Sequence, residues 1–136
     1  MSDTAERKGP PAYEPTLRAI PMPKDANGNG DIFGGWVLSQ MDMAGGSVAS
    51  RRAQGRVATV AITGMTFHHP VLVGDEVSCY CAIERIGRTS MTIKIESWAR
   101  RWGGFEPIKV TEGLFTFVAL GPDRRPRPVP PEQKTE

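Results

Sequence analysis

Asp42 lies two turns inside a segment of helical spacing that opens with Gly34-Gly35. These are the residues whose types and spacing suggest chemistry. Val37, Met41, Ala44 and Val48 recur at i, i+4, i+7 and i+11, a core-facing stripe. At roughly 100° per residue, Asp42 stands about 130° from the centre of that stripe. Gly35, Leu38, Gly45, Gly46 and Ala49 fall on its side. The acid therefore shares a face with small residues. Each interior glycine costs a helix about 1 kcal/mol against alanine. Gly45 and Gly46 thus predict the close approach of a sheet, a second subunit or a ligand. At the helix start, Gly34 and Gly35 leave unpaired N–H groups at a positive dipole end, with no side chains in the way. Such donors suit a developing oxyanion. Taken alone, Asp42 also reads as a solvated acid on a surface helix. The glycine face and the turn before it favour function.

The elements that must hold these residues follow from patterning. Residues 1–15 are polar, with Pro10, Pro11 and Pro15, and read as a disordered lead-in. Thr16 to Met22 is a short first strand, limited by Pro21 and Pro23. Asn27-Gly28-Asn29-Gly30 is a turn in which glycine supplies positive φ and asparagine tolerates it. The helix runs from about Phe33 to Arg51-Arg52, ahead of Gly55. Arg56 to Phe67 has strand composition with loose alternation. Val77 to Ile86 follows, with Val77, Cys79, Cys81 and Ile83 on one face. Gly87-Arg88-Thr89 is a tight hairpin, then come Met91 to Arg101 and Lys109 to Leu120. The last strand is apolar on both faces, so it belongs in the middle of a sheet or in an interface. Residues 121–136 form a proline- and charge-rich tail without a core pattern, which leaves 16–120 as the domain. The class is α+β. One helix cannot cover such a sheet unless the sheet curls around it. The sheet edges and outer face want a partner, and edge pairing of two chains supplies one.

Composition excludes several functions. A chain of 136 residues is one domain with room for a real core. Net charge is +2 with scattered basic residues, so no nucleic-acid partner is expected. Cys79 and Cys81, at i and i+2, do not bridge comfortably in a strand. They read as core thiols in a reducing compartment, and with no signal peptide or transmembrane run the expectation is a cytoplasmic protein. His68 and His69 point to opposite faces of a strand and lack zinc spacing, so no metal is expected. They read as a pair at a strand end, at a site edge or touching substrate. No G-x-S-x-G or Walker pattern is present, and Ser39 and Ser47 have no evident histidine partner. Gly87-Arg88-Thr89-Ser90 combines a cation with two hydroxyls, which suits a phosphate but is also an ordinary hairpin. Asp75 and Glu76 serve a turn.

Taken in order, these motifs resemble the hotdog-fold acyl-CoA thioesterases of the bacterial YciA type. The resemblance rests on Asp25-Ala26-Asn27, Gly30-Asp31-Ile32-Phe33-Gly34-Gly35-Trp36 and Ser39-Gln40-Met41-Asp42. It continues through Gly55-Arg56-Val57, Gly64-Met65-Thr66-Phe67, Pro70, Val73-Gly74-Asp75, Gly87-Arg88-Thr89-Ser90 and Thr111-Glu112-Gly113-Leu114-Phe115. It implies a hotdog fold, one long helix wrapped by a curled antiparallel sheet of about five strands. It implies hydrolysis of acyl-CoA to free acid and CoA at sites between two subunits, without cofactor or metal. The dimers would assemble into trimers of dimers. By resemblance Asp42 is the catalytic carboxylate, as general base or nucleophile, and Gly34 or Gly35 polarises the carbonyl. Asn29 and Asp31 would order water or substrate. Phe33, Met41, Met65 and Phe67 would set the depth of the acyl tunnel. Arg88, Thr89 and Ser90 would meet the CoA nucleotide. His68-His69 before Pro70 departs from the family pattern and bears on pantetheine or nucleotide contacts. A hotdog hydratase would want a histidine paired with an acid on the helix or its lead-in. An acyl-CoA-sensing module without turnover is the non-enzyme alternative.

Overall fold

The computed structural model describes residues 8–132. One helix, α1 (Gly34–Ala53), lies in the hollow of one antiparallel sheet. The strands are β1 (Leu17–Ala19), β2 (Val57–Thr63), β3 (Glu76–Ile86), β4 (Ser90–Arg100) and β5 (Pro107–Ala119). Their order across the sheet is β1-β3-β4-β5-β2. β5 is therefore internal, as its two apolar faces predict, and β1 and β2 are the edges. The helix touches every strand, so the sheet curls around it. This is the α+β, hotdog arrangement that the resemblance implies. β1 is shorter than its pattern suggests, because Pro21 and Pro23 bring no N–H to the ladder.

The core joins Val77 and Cys79 of β3, Met91, Ile93 and Ile95 of β4, and Val110, Phe115 and Phe117 of β5 to the helix. On α1 the buried set is Val37, Met41, Ala44, Gly45, Ala49 and Ala53. The expected stripe thus holds for three members and fails at Val48, which is only half-buried. The reason is steric. A Cβ on Gly45 would come within 2.5 Å of Ile95 Cδ1 and 2.8 Å of Phe117 Cζ. The sheet approaches over the small residues, and that turns the buried face toward Gly45 and Ala49. Asp42 consequently stands on the flank of the buried face and not opposite it. Gly46 is different, since a Cβ there would lie 3.9 Å from the Phe117 ring, an ordinary contact.

The loose alternation of β2 is a bulge. Thr59 pairs with Phe117 and Ala61 with Thr116, so Val60 is the extra residue. Residues 121–132, the proline- and charge-rich tail without a core pattern, are docked on the domain. Arg127 Nη2 donates to Ala53 O at 2.7 Å, and its Nε donates to Leu120 O at 3.0 Å. Arg52 Nη1 donates to Pro130 O at 2.6 Å, and Val129 packs on the core. The guanidinium of Arg127 satisfies a carbonyl at the helix C-terminus, where the dipole favours a cation. The segment lacks a core pattern because it docks through arginines and backbone. Of the expected lead-in, residues 1–7 lie outside the described residues, and Tyr13 packs edge-on against Tyr80 with centroids 6.2 Å apart.

The two helix glycines should respond oppositely to alanine. Gly45→Ala should destabilise by about 1–3 kcal/mol, because overpacking outweighs the gain in helix propensity. Gly46→Ala should be neutral or stabilise by up to about 1 kcal/mol. Denaturant titration of both variants checks this; equal effects would remove the close approach at Gly45 as the explanation.

Candidate functional site

The N-terminus of α1 is built as an open donor. Its N-cap is Phe33, which makes no side-chain cap. The N–H of Trp36 reaches Phe33 O at 3.0 Å, while those of Gly34 and Gly35 find no acceptor among the described residues. The preceding loop is held by Asn27. Its Oδ1 accepts from the N–H of Asn29 at 2.8 Å and of Asp31 at 3.2 Å, and its own N–H donates to Asp31 O at 2.7 Å. Gly30 takes φ +89°, which a side chain would resist. Phe33 N–H donates to Asp25 O at 3.1 Å. The N–H of Met22 holds the Asp25 carboxyl below the usual carboxylate range, helped by the Lys24 ammonium.

The helix end opens into a cleft of about 320 Å³ lined by Asn27, Asp31, Gly34, Phe67, His68 and their neighbours. The Phe67 ring covers Gly34, 3.4 Å from where a Cβ would stand. Gly35 faces open space. His68 is tied to β5 through its N–H on Val110 O at 2.8 Å, and the His69 ring through Nδ1 to Lys109 O at 3.0 Å. The structure thus gathers Gly34, Asp31, Phe67 and His68 around one cleft. Phe33 is exposed nearby. Met65 lies against Gly113 of β5, whose Cβ would meet Met65 Sδ at 2.5 Å. Asn29 is exposed on the loop and does not line the cleft; Asn27 does. The turn pattern would have pointed to Asn27, since an Asx turn needs its side chain at the first position.

Asp42 is elsewhere. Eight residues beyond Gly34, at 1.5 Å per residue, it is about 12 Å further along the axis. Its Oδ1 accepts the Thr59 hydroxyl proton at 2.6 Å. Its Oδ2 accepts no hydrogen bond among the described residues. One carbonyl cannot touch both the helix-end donors and the carboxylate of the same chain.

Arg88, Thr89 and Ser90 are farther still. Gly87 N–H closes the turn on Ser90 O at 2.8 Å, and the Arg88 and Thr89 carbonyls accept from Val129 and Ala119. This turn sits beyond the C-terminal end of a twenty-residue helix, about 30 Å long. Within one chain the structure separates it from the cleft.

Cys79 is buried and Cys81 half-buried, and neither is bridged. Burial, with a smaller contribution from Cys81, pushes the Cys79 thiol up to about 12. Burial also raises Cys81, against the lowering effect of the Thr16 hydroxyl. Among the described residues, no three His, Cys, Asp or Glu side chains gather as a metal site would require. No helix among them is long and apolar enough to cross a membrane.

A model of the thioesterase superfamily matches residues 29–101. The acyl-CoA thioester hydrolase YciA of Salmonella typhimurium is 51% identical over 124 residues, 88% of this chain and 92% of that protein. A hexameric thioesterase of Yersinia pestis superposes with TM-score 0.84 at 48% identity, over 89% of this chain and 98% of the other. A hexameric broad-specificity acyl-coenzyme A thioesterase, solved as an aspartate-to-alanine mutant, superposes with TM-score 0.82 at 44% identity, over 90% of this chain and 88% of that one.

The raised thiols should be silent in the native state. A thiol-reactive dye at pH 8 should label Cys79 far more slowly than a free cysteine, and denaturant should release both thiols at once. Rapid native labelling of Cys79 would contradict its burial.

Proposed function

From the premise that this chain belongs to the hotdog-fold thioesterase superfamily and is an acyl-CoA thioester hydrolase, we propose how its residues divide the reaction. The observation that carries the proposal is the uncapped N-terminus of α1 opening on a cleft, with Asp42 about 12 Å away on the same rigid helix. Gly34 and Gly35 of one subunit donate their N–H groups to the thioester oxygen. Asp42 of a second subunit supplies the carboxylate. As general base it takes a proton from water while the water oxygen bonds to the carbonyl carbon. As nucleophile its oxygen bonds to that carbon directly, and water later releases the acid. In both routes the C–S bond breaks and the electron pair leaves on sulfur. The backbone donors stabilise the oxyanion between these steps.

No resident cofactor or metal enters this scheme; CoA is part of the substrate and product. A homodimer follows from the shared site, and the exposed β2 edge supports it. The hexameric relatives support further assembly as a trimer of dimers. Arg88, with Thr89 and Ser90, meets the CoA nucleotide of a site whose reacting end lies in neighbouring subunits. The separation of this turn from the cleft in one chain supports that placement. Two free cysteines support a cytoplasmic location.

Release of free thiol from a panel of acyl-CoA substrates tests the scheme. Asp42→Asn should lower kcat by about 10²–10⁴-fold while acyl-CoA binding survives. A variant with near wild-type kcat would remove Asp42 from the chemistry. If neither protein releases thiol and both bind acyl-CoA, the chain is a binding module.

Arg88→Ala should raise KM for acyl-CoA more than for an acyl-pantetheine that lacks the nucleotide. An equal effect on both substrates would place Arg88 outside the nucleotide site.

A further inference from the structure

We propose that residues 126–130 form an arm that positions the Arg88 turn for the nucleotide of CoA, with Arg127 as its anchor. The inference rests on the reading of Arg88, Thr89 and Ser90 as the nucleotide contact.

The segment Pro126-Arg127-Pro128-Val129-Pro130 places proline at every second residue. A residue before proline is driven to extended backbone, which here covers Arg127 and Val129. In an extended chain successive N–H groups point to opposite sides. Arg127 and Val129 therefore keep their donors on one side, and the prolines remove the donors of the other. Both remaining donors are used. Arg127 N–H donates to Ala119 O at 2.9 Å, and Val129 N–H donates to Arg88 O at 2.8 Å. The bare side offers no N–H to a further strand. The fixed φ of the prolines also lowers the entropy lost when the arm docks.

The arm is fastened on both sides of the Arg88 bond. Before it, the chain reverses over residues 121–125, where Arg124 N–H donates to Gly121 O at 2.9 Å and Leu120 bridges Pro126. The Arg127 guanidinium then spans two elements, from Leu120 O to Ala53 O at the end of α1. Gly55 clears its seat, since a Cβ there would come within 2.6 Å of Nη2. Beyond the bond, Arg52 Nη1 of α1 holds Pro130 O at 2.6 Å. Val129 N–H thus reaches Arg88 O from a segment held at both ends.

The turn it meets carries the cation and the two hydroxyls. Thr89 O accepts from Ala119 N–H at 2.9 Å, and Ser90 O from Gly87 N–H at 2.8 Å. Arg88 O is the remaining carbonyl of the three, and the arm supplies its donor. With all three bonded, the backbone under these side chains has one orientation. Recognition of a phosphate by a guanidinium depends on such geometry.

The experiment measures KM for acyl-CoA and for acyl-pantetheine by thiol release. It compares wild type, Arg88→Ala, Arg127→Ala, Val129→Pro and Val129→Ala, with thermal midpoint and assembly mass for each. Val129→Pro deletes the N–H that Arg88 O accepts, and Val129→Ala trims the same side chain but keeps that donor. Val129→Pro and Arg127→Ala should each raise KM for acyl-CoA by about 3- to 10-fold, with KM for acyl-pantetheine within about twofold of wild type. Val129→Ala should fall well short of the proline variant. A merely structural arm would lower the midpoint and shift both substrates alike. That result, or wild-type KM in both arm variants, overturns the proposal, while an Arg88→Ala still selective for acyl-CoA keeps the nucleotide reading. Equal effects of Val129→Pro and Val129→Ala also overturn it, because packing and not the N–H is then the active feature. Arg88→Ala without selectivity overturns the underlying reading, and the role of the arm with it. If one arm variant fails to assemble, the other decides.

Discussion

A rigid helix fixes the distance between the donors at its N-terminus and the carboxylate two turns along it. Gly34 and Asp42 are about 12 Å apart because α1 has no kink to bring them together. A thioester carbonyl needs a donor on its oxygen and an attacking group at its carbon, both within about 3.5 Å. On the proposed reading, one chain carries two half-sites that serve different substrates. On that reading assembly is a condition of the chemistry.

The sheet decides where each half-site is exposed. Gly45 brings α1 down onto Ile95 and Phe117, and the tight seat turns the helix so that Asp42 emerges at the flank beside β2. β2 is the edge strand, the last in the order and the most exposed along its length. An exposed edge of seven residues is a template for another strand. The acid thus sits next to the edge most able to receive a second chain. The other end of the helix is kept open by the Asn27 loop, which spends its hydrogen bonds on itself and leaves Gly34 and Gly35 unpaired.

Most of this architecture was legible in the sequence, and the gaps have physical causes. Alternation and turn residues located all five strands, and the apolar run of β5 placed it inside the sheet. The helix stripe was misread at Val48 because a hydrophobic pattern favours large side chains, whereas a close-packed face is made by small ones such as Gly45 and Ala49. The alternation of β2 looked loose because a bulge shifts the period by one residue, and no residue type marks that shift. The segment beyond Gly121 shows no core pattern because Arg127 docks through backbone carbonyls, which carry no hydropathy signal. Gly34, Gly35 and Asp42 were singled out as candidates by spacing, and their roles by resemblance. Thr59 was not, because only the folded chain brings it to Asp42. Asn29 was favoured over Asn27 because both lie in one turn, and only the hydrogen bonds separate the organiser from its neighbour.

The choice of groups also selects the bond that can be broken. An amide or ordinary ester expels a poor leaving group, and serine hydrolases that cleave it deliver a proton with an imidazole. A thiol ionises near pH 8.5, so sulfur departs as thiolate close to neutrality without that help. A carboxylate on one side and backbone N–H groups on the other then suffice for a thioester. The histidines in hand fit this division. His69 is bound through its ring to Lys109 O, and His68 lines the cleft at the N-terminal end of α1 on a backbone tied to β5. They line the cleft at the helix end, and in the proposed scheme the proton chemistry stays with the aspartate. In the proposed scheme a glycine-led helix and one acid, shared between two chains, make a site whose economy is itself the source of a preference for thioesters.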